Sequence, residues 1–334
     1  MKLLRNSKQL IKLLKSSKNV FIMGHKNLDL DAICSSVGIY FLLEKLKKNC
    51  YLVVDEDTPD SSVLKVLNEI EGEYNIIQST EVEERLNKNR NKNLLLLVDH
   101  NKKSLMQNSK IIEHFKNIVI FDHHEISNKS LDVAFGYIND EASSACEMIV
   151  DLSQELGIKF TSDVCSLILS GIYLDTSSFA VNTSANTFYA SYYLRALGAS
   201  ISKVEYFLKQ DIEEYIERQK LFTNIKIVNS NVAIAKASPK SKYSRNDLAR
   251  VASELLYFNN IEASFVIAHT SDEVIRVSAR SLGNYNILNI VEKLGGGGDE
   301  NKGAVNFKNS KISEIEKKII NLLEEEWELF LLKI

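Results

Sequence analysis

Short apolar runs alternate with segments of helical apolar spacing along the first part of the chain. Residues 20–23, 50–54, 94–98 and 118–121 are runs of the length expected for buried strands. Residues 94–98 are apolar throughout, which is typical of a strand whose sheet is covered by helices on both faces. Strands that alternate with helices in this way predict an α/β fold with a mostly parallel sheet.

The remaining elements of this part follow from the same patterns. A fifth strand is predicted at 133–138, and residues 71–93, which are rich in charge and asparagine, are expected on the surface. Helices are predicted at 2–17, 33–43, 61–70, 104–115, 144–150, 164–174 and 187–197. A charged segment without glycine, 201–221, predicts a further helix that connects two domains.

The pattern changes near residue 224. Residues 225–228 and 232–235 are short apolar runs separated by turn residues, as are 263–268 and 274–279, so each pair predicts a hairpin. Helices are predicted at 248–256, 286–294 and 312–332. We therefore expect a parallel-sheet domain at 1–200, a helical connector at 201–224 and a smaller α/β domain at 225–334.

The composition limits the class of protein. A length of 334 residues favours two domains, and a net charge of −3 gives no reason to expect a protein that binds duplex nucleic acid. The four cysteines show no CxxC spacing, which favours reduced, buried thiols. No apolar segment resembles a signal peptide or approaches the ~20 residues of a membrane helix. We therefore expect a cytoplasmic protein that does not bind a membrane.

Acids and histidines follow several of the predicted strands directly, and one acid follows the predicted helix 164–174. The residues are His25, Asp29, Asp31, Asp99, the run Asp122-His123-His124, and Asp175. Ligands of α/β proteins bind at the carboxyl ends of parallel strands. Closely packed carboxylates repel one another unless cations neutralise them, and oxygen and nitrogen ligands without cysteine favour Mn²⁺ or Mg²⁺.

A metal pair about 4 Å apart activates a water molecule and holds both oxygens of an in-line phosphoryl displacement. Taken singly, each of these residues is better explained as a turn acid or a solvent-facing histidine. Their occurrence together at three strand ends favours the metal site.

The motifs, in order, resemble those of the DHH phosphoesterase family with its DHH-associated C-terminal domain. The matching segments are Asp122-His123-His124, residues 24–33 (GHKNLDLDAI), Val98-Asp99, Leu174-Asp175-Thr176, Ser278-Ala279-Arg280-Ser281 and the four glycines 295–298. Together they cover roughly residues 18–310. The resemblance implies a two-metal hydrolase with the fold expected above.

Carried over by position, the resemblance implies which residues hold two Mn²⁺ ions, with Mg²⁺ as the alternative. One ion would be bound by His25, Asp29 and Asp99, and the other by Asp31, Asp99, His123 and Asp175, so that Asp99 bridges them. It also implies that His124 lies beside the scissile phosphate and that Asp122 orients a histidine.

Within the family, several segments are similar to the catalytic part of the membrane-bound cyclic-di-AMP phosphodiesterases. These segments are 142–147, 171–179, 193–199 and 277–283. The resemblance implies hydrolysis of cyclic-di-AMP to 5′-pApA in a stand-alone protein without the membrane and sensory segments. The alternative within the family is a nanoRNase or pAp phosphatase that cleaves short linear nucleotides, for example pApA to AMP. The sequence leaves the oligomeric state open, as a monomer or a homodimer.

The resemblance also assigns substrate contacts, each with a simpler structural alternative. Ser143 and Ser144 are candidates, although a serine three residues before Glu147 also has capping-box spacing. Arg280 suits phosphate but would equally form a surface salt bridge. The glycines Gly296, Gly297 and Gly298 would bring backbone N–H groups to a phosphate or form a flexible turn.

The sequence departs from the family pattern at three positions. Asp299 stands where the family has a phosphate-contacting histidine, Leu28 replaces a proline, and Cys34 replaces a glycine.

Two rival functions are weighed against the phosphodiesterase. The run 98–101 suggests a manganese pyrophosphatase, but the basic C-terminal motif of that class is replaced by the Ser-Ala-Arg and glycine pattern. Asp299 alone suggests a nucleotide sensor without catalysis, against which the complete set of metal positions argues.

Overall fold

The computed structural model describes residues 7–55, 60–126, 129–283, 285–298 and 300–331. The chain divides into two compact units, Met1–Gln210 and Asp211–Ile334. The division falls inside the segment that the sequence assigns to a connector. Within the described residues, no helix combines the length and the apolar character needed to cross a membrane.

The first unit alternates strands and helices as the sequence predicts. Its strands are β1 (Asn19–Met23), β2 (Asn49–Val53), β3 (Ile76–Ile77), β4 (Asn93–Val98), β5 (Asn117–Asp122) and β6 (Phe135–Ile138). Its helices are α1 (Ser7–Ser16), α2 (Leu30–Lys45), α3 (Ser61–Glu69), α4 (Val82–Arg85), α5 (Ala145–Leu156), α6 (Ser162–Asp175), α7 (Ala185–Ala196) and α8 (Ile201–Leu208).

The strands of the first unit form one parallel sheet in the order β3-β2-β1-β4-β5-β6. Asn19 of β1 lies opposite both Asn49 of β2 and Asn93 of β4. The chain thus proceeds outward from β1 in both directions, so the sheet has a switch point between β1 and β4. The crevice at the carboxyl ends of the strands on either side of such a switch point is where these sheets bind ligands. The predicted parallel-sheet α/β fold is confirmed.

The two faces of this sheet have different covers. Alternate strand residues, including Ile22 and Leu96, pack against the long helices, while Phe21, Leu95 and Ile120 face the other side. That second side is covered by α4 and by short 3₁₀ segments. Both faces are therefore buried, but on the second face the expected helical cover consists only of the short α4 and 3₁₀ turns. The four cysteines are free and buried, as predicted.

Two predictions for this second cover are corrected by the structure. The helix predicted at 104–115 is replaced by 3₁₀ turns at Lys103–Leu105 and Ser109–His114. Between them, Gln107 donates from its side chain to Gly24 O and Val53 O, which holds the chain against the strand ends and interrupts a helix. The segment 71–93, expected on the surface, contains the edge strand β3, whose Ile77 is buried in the apolar cluster on this face of the sheet.

The predicted helix 201–221 is divided into two. α8 ends at Leu208, and α9 (Ile212–Gln219) starts after Asp211, whose side chain accepts from Glu213 N at 2.8 Å and Glu214 N at 3.2 Å. An aspartate that caps a helix takes an extended backbone, so it separates the two helices.

The second unit is also α/β, as expected. After α9 its helices are α10 (Arg245–Leu255), α11 (Ile287–Lys293) and α12 (Ile312–Leu331). Its strands are β7 (Ile225–Val228), β8 (Val232–Lys236), β9 (Ala263–His269), β10 (Val274–Ser281), β11 (Gly297–Gly298) and β12 (Lys302–Lys308). They form a mixed sheet in the order β11-β12-β10-β9-β8-β7.

Both predicted hairpins of this unit are confirmed, because β7 pairs with β8 and β9 pairs with β10 in antiparallel register. α10 packs on one face of the sheet, and α11 and α12 pack on the other. The sequence missed β12, since it buries Gly303 and Val305 among polar neighbours and has no continuous apolar run.

Candidate metal centre

The turn between β1 and α2 presents the first two side chains of the site. Asp29 is the N-cap of α2, and its Oδ1 accepts from Ala32 N at 2.9 Å. Its Oδ2 lies 3.4 Å from His25 Nε2. The ring of His25 is oriented by its Nδ1, which lies 2.9 Å from Lys26 O, so that Nε2 faces the carboxylates. Metal-binding histidines are commonly held in this way.

Asp99 follows β4 directly and lies between two histidines. Its Oδ2 is 3.3 Å from His25 Nε2 and its Oδ1 is 3.2 Å from His123 Nε2. The backbone of Asp99 has a φ of 61°, and its N–H donates to Phe121 O at 2.8 Å. A left-handed conformation is costly for a residue other than glycine and persists where surrounding structure enforces it, often at functional sites. This backbone turns the side chain of Asp99 into the space between the strand ends.

The second group of ligand atoms comes from three distant segments. Asp31 lies in the first turn of α2, His123 follows β5, and Asp175 is the last residue of α6. The Oδ2 of Asp175 lies 3.3 Å from His123 Nε2. One ligand atom from each of Asp31, His123 and Asp175 lies within 4.8 Å of the others, and the same holds for His25, Asp29 and Asp99. The structure thus brings the six predicted metal ligands into two groups that meet at Asp99.

The donor set fits divalent cations. Asp31 and Asp99 are buried, and the Oδ1 of Asp99 accepts no hydrogen bond. A buried carboxylate oxygen without a hydrogen-bond donor is costly unless a cation lies beside it. Carboxylate and imidazole ligands without sulphur match Mn²⁺ or Mg²⁺. The first unit therefore contains a candidate metal centre.

The carboxylates of the site have opposite pKa shifts. Burial, with the charge of Asp99, raises the pKa of Asp31 to about 7. Burial and the charge of Asp31 hold the pKa of Asp175 well above its usual range. Burial also opposes ionisation of Asp99, but the neighbouring imidazoles of His123 and His25 outweigh it and hold the pKa of Asp99 well below its usual range. Without cations, the centre therefore retains protons on some acids while Asp99 stays ionised.

The two histidines have raised pKa values. Burial disfavours the imidazolium of His25, but the carboxylates of Asp29 and Asp99 outweigh this and raise its pKa to about 12. Burial likewise disfavours the imidazolium of His123, and Asp99 with Asp175 outweighs it and raises its pKa to about 10. A cation that binds here must displace protons from both rings.

Asp122 and His124 lie beside the metal ligands. The Oδ1 of Asp122, which is buried, accepts from His124 N at 3.2 Å and lies 2.8 Å from His124 Nδ1. The carboxylate therefore holds the imidazole with its Nε2 directed away from Asp122. His124 is 46% exposed, in contrast to His25 and His123 at 17% and 15%. An oriented and accessible imidazole of this kind can contact a bound anion.

Ser143 and Ser144 are buried, and both hydroxyls bond within the protein. Ser144 is the N-cap of α5, where its Oγ accepts from Glu147 N at 3.1 Å, so the predicted capping is confirmed. Ser143 donates from N and Oγ to Glu147 Oε2, at 3.1 and 2.6 Å. A substrate contact by these serines stays a prediction.

The candidate phosphate residues of the second unit lie on adjacent strands. Arg280 of β10 lies opposite Lys302 of β12. On the other edge of β12, Gly298 of β11 pairs with Gly303 of β12. Gly297 and Gly298 therefore form the short strand β11 rather than the predicted loop. Glycine permits this close approach to β12, since a Cβ on Gly298 would overlap Lys302 O and one on Gly296 would overlap Ala304 O. Asp299 lies outside the described residues. The phosphate role of Arg280 and these glycines stays a prediction.

Sequence reasoning missed two residues near the centre. Gly171 of α6 faces Asp31, where a Cβ would lie 3.0 Å from its Oδ1. Glu147 is buried and accepts from Thr187 Oγ1 at 2.8 Å and Asn186 Nδ2 at 2.9 Å, in addition to Ser143. The capping-box spacing predicts a role for Glu147 at the start of a helix but none near a metal centre. The residues around Gly171 in the sequence do not distinguish it from a glycine in any packed helix.

The parallel sheet with acids and histidines at its switch point defines an α/β protein with a candidate two-cation centre. Comparison with known families identifies it. Residues 19–172 match the N-terminal domain of the DHH family, and residues 229–325 match the DHHA1 domain. The chain belongs to the DHH family, and the resemblance predicted from its motifs is confirmed.

Within this family the chain is similar to two curated bacterial proteins. It is 35% identical over 330 residues to the cyclic-di-AMP phosphodiesterase PdeA of Listeria monocytogenes, covering 96% of this chain and 50% of PdeA. It is 32% identical over 330 residues to the cyclic-di-AMP phosphodiesterase GdpP of Bacillus subtilis, again covering 96% of this chain and 50% of the relative. The chain thus spans about half the length of these relatives.

A solved structure shares the fold over almost the whole chain. The exopolyphosphatase-related protein of Bacteroides fragilis matches with a TM-score of 0.82 and 20% identity, covering 96% of each chain. At this identity the likeness concerns the fold alone.

Proposed function

We propose that this protein is a metal-dependent phosphodiesterase that hydrolyses cyclic-di-AMP to 5′-pApA. The observation that carries the proposal is the meeting of two ligand groups at Asp99, at the switch point of the sheet. The similarity to PdeA and GdpP extends over both domains and supports the choice of a cyclic dinucleotide.

In this proposal, His25, Asp29 and Asp99 hold one cation, and Asp31, Asp99, His123 and Asp175 hold the other. Two Mn²⁺ ions, or Mg²⁺ in their place, would polarise the phosphate and activate a water molecule. The protein supplies fixed ligands: Lys26 O orients His25, and the cap of α2 orients Asp29. Rigid ligands avoid reorganisation during the reaction.

His124 and Asp122 have the proposed catalytic role beside the phosphate. The Nε2 of His124 would donate to a phosphate oxygen or to the departing 3′ oxygen, while Asp122 keeps the ring in place through Nδ1. Hydrolysis forms a bond between the water oxygen and phosphorus and breaks the bond from phosphorus to the 3′ oxygen, which takes a proton. Because the substrate is a ring, cleavage of one bond gives a single product, pApA, with a 5′ phosphate and a free 3′ hydroxyl.

The second unit is proposed to bind the nucleotide. Arg280 and Lys302 lie opposite each other on β10 and β12 and provide two cationic side chains for phosphate oxygens. Gly297 of β11 has no atom within 4 Å of the position of a Cβ, so an anion can approach its backbone closely.

The test is Mn²⁺-supported turnover of cyclic-di-AMP, pApA, pAp and pyrophosphate by the full chain, with products separated by chromatography. The proposal expects cyclic-di-AMP to be opened to pApA faster than the linear compounds are cleaved. Faster cleavage of pApA to AMP would instead make the protein an enzyme of short linear nucleotides. Cleavage of pyrophosphate alone, or tight binding of cyclic-di-AMP without turnover, would contradict the proposal.

A further inference from the structure

Asp31 is held at the N-terminus of a helix. Its Oδ2 accepts from Ala145 N at 2.7 Å and its Oδ1 accepts from Cys146 N at 2.9 Å. Ala145 and Cys146 are the first two residues of α5, whose N–H groups have no partner within the helix. The two bonds fix the plane of the carboxylate and place it at the positive end of the helix dipole.

These bonds leave acceptor positions on Asp31 that point elsewhere. An ionised carboxylate has about four lone-pair sites, and the two N–H donors occupy one on each oxygen. The side chain has no solvent exposure, so its remaining sites face other protein groups. The neighbouring ligand atoms are those of His123 and Asp175, within 4.8 Å. The orientation of α5 thus determines where Asp31 presents its free lone pairs.

The N-terminus of α5 is itself fixed by buried hydrogen bonds. Ser144 caps it by accepting from Glu147 N at 3.1 Å. The carboxylate of Glu147 then bonds to Ser143 on one side and to Asn186 and Thr187 of α7 on the other. All these contacts lie within the first unit, and none of them involves solvent-facing atoms of Glu147, which is 1% exposed.

Gly171 provides the space for this arrangement. A Cβ at Gly171 would overlap Cys146 Sγ and would lie 3.0 Å from Asp31 Oδ1 and 3.1 Å from Asp31 Cα. The Sγ atom of Cys146 would therefore have to move, and the carboxylate and backbone of Asp31, which Cys146 N and Ala145 N hold, would have to shift by a few tenths of an ångström. Gly171 lies one helical turn before Asp175. The helix α6 therefore provides the candidate ligand Asp175 and, at Gly171, the space that the candidate ligand Asp31 occupies.

We propose that the segment 142–147 and Gly171 form a positioning device for Asp31 and that Ser143 and Ser144 act through α5 rather than by contact with substrate. This inference rests on the proposed metal centre. It assigns Ser144, Glu147 and Gly171 as positioning residues that set the affinity of the cation held by Asp31.

The experiment measures Mn²⁺ binding to the full chain by calorimetry and by the paramagnetic resonance signal of free Mn²⁺, together with KM for cyclic-di-AMP. Gly171→Ala is expected to weaken one of the two Mn²⁺ sites about 10- to 100-fold, as changes behind metal ligands commonly do. The matched control is Gly38→Ala on α2, where a Cβ would lie 3.0 Å from side-chain carbons of Ile149 and Ile168. This control disturbs the same helix layer but should leave both Mn²⁺ affinities unchanged.

A milder pair of variants tests the cap. Ser144→Ala removes the acceptor for Glu147 N and should weaken the same Mn²⁺ site, and Ser144→Thr, which keeps a hydroxyl, should restore it. Circular dichroism of each variant checks that the fold is retained. A raised KM for Ser144→Ala with unchanged Mn²⁺ affinity would overturn the proposal in favour of substrate contact.

The outcomes separate this proposal from the proposed function. If the wild-type chain binds no Mn²⁺, the metal centre and everything built on it are wrong. If the wild-type chain binds two Mn²⁺ ions and Gly171→Ala binds them within twofold of the same affinity, only the positioning device is wrong.

Discussion

The Oδ1 atom of Asp99 lies 3.2 Å from the Nε2 atom of His123, across the ends of two adjacent parallel strands. The other oxygen of Asp99 faces His25 at 3.3 Å. One carboxylate therefore connects both groups of candidate ligands, and its left-handed backbone turns it toward them. This arrangement makes Asp99 the residue on which a two-cation centre depends most.

Asp99→Ala should abolish turnover of cyclic-di-AMP, because both proposed cations lose a ligand. Calorimetry should detect fewer than two Mn²⁺ ions per chain. Asp272→Ala is the matched control, since Asp272 is an 86% exposed acid of the second unit paired with Lys242. Near-normal turnover by Asp99→Ala would rule out a bridging role for Asp99.

His124→Ala should lower kcat about 100- to 10,000-fold, the usual contribution of a positioned proton donor. Mn²⁺ affinity should stay within about twofold of that of the wild type, because the ring of His124 is held by Asp122 and is not among the proposed ligands. Steady-state kinetics and Mn²⁺ calorimetry provide the measurements. His114→Ala serves as control, since His114 pairs with Glu83 at the surface. A lost Mn²⁺ ion in His124→Ala would make His124 a ligand instead.

Mn²⁺ affinity should rise with pH between about 6 and 8.5. In the metal-free protein, the pKa values of His25 and His123 are raised to about 12 and about 10, so both rings are protonated throughout this interval. A bound cation displaces these protons, and each displaced proton makes the affinity about tenfold greater per pH unit. Below about pH 7, the proton of Asp31 adds to the effect.

Calorimetry in buffers of different ionisation enthalpy counts the protons that Mn²⁺ binding releases. At least two are expected at pH 7.5, one from each imidazole, and any proton that Asp175 retains adds to them. Binding that is independent of pH and releases no protons would mean that neither imidazole is a ligand.

Gly298→Ala should destabilise the second unit by about 1–3 kcal/mol, the usual cost of overpacking. A Cβ there would overlap Lys302 O and lie 2.5 Å from Gly303 Cα, so β11 could not keep its pairing with β12. Gly297→Ala is the matched control and should change stability by less than about 0.5 kcal/mol, because its Cβ would point into open space.

Urea denaturation followed by circular dichroism measures both effects. Equal stability of the two variants would contradict the assigned pairing. Since Gly297→Ala is expected to fold normally, it also tests the phosphate role: a raised KM for cyclic-di-AMP would support that role, and an unchanged KM would remove Gly297 from the substrate site.

Much of the fold was predictable because its signals are local. Apolar runs such as 94–98 predict strands, and the acids that follow these runs predict metal ligands at the strand ends. Elements whose stability comes from distant partners were harder to recognise. The strand β12 and the two glycines of β11 have little apolar character and exist because each pairs with a neighbour across the sheet. The turns at 103–114 depend similarly on Gln107, whose side chain donates to Gly24 O just after β1 and to Val53 O at the end of β2.

By itself, the sequence determined the α/β alternation, the family and the set of acids and histidines, because short stretches of consecutive residues carry each of these signals. Tertiary structure decided that β1 lies between β2 and β4, which brings His25, Asp99 and His123 to one crevice. It also decided that Asp31 meets α5 and Gly171, residues more than a hundred positions away. Strand order and helix packing are set by burial of the whole core, and no local pattern of residues specifies them.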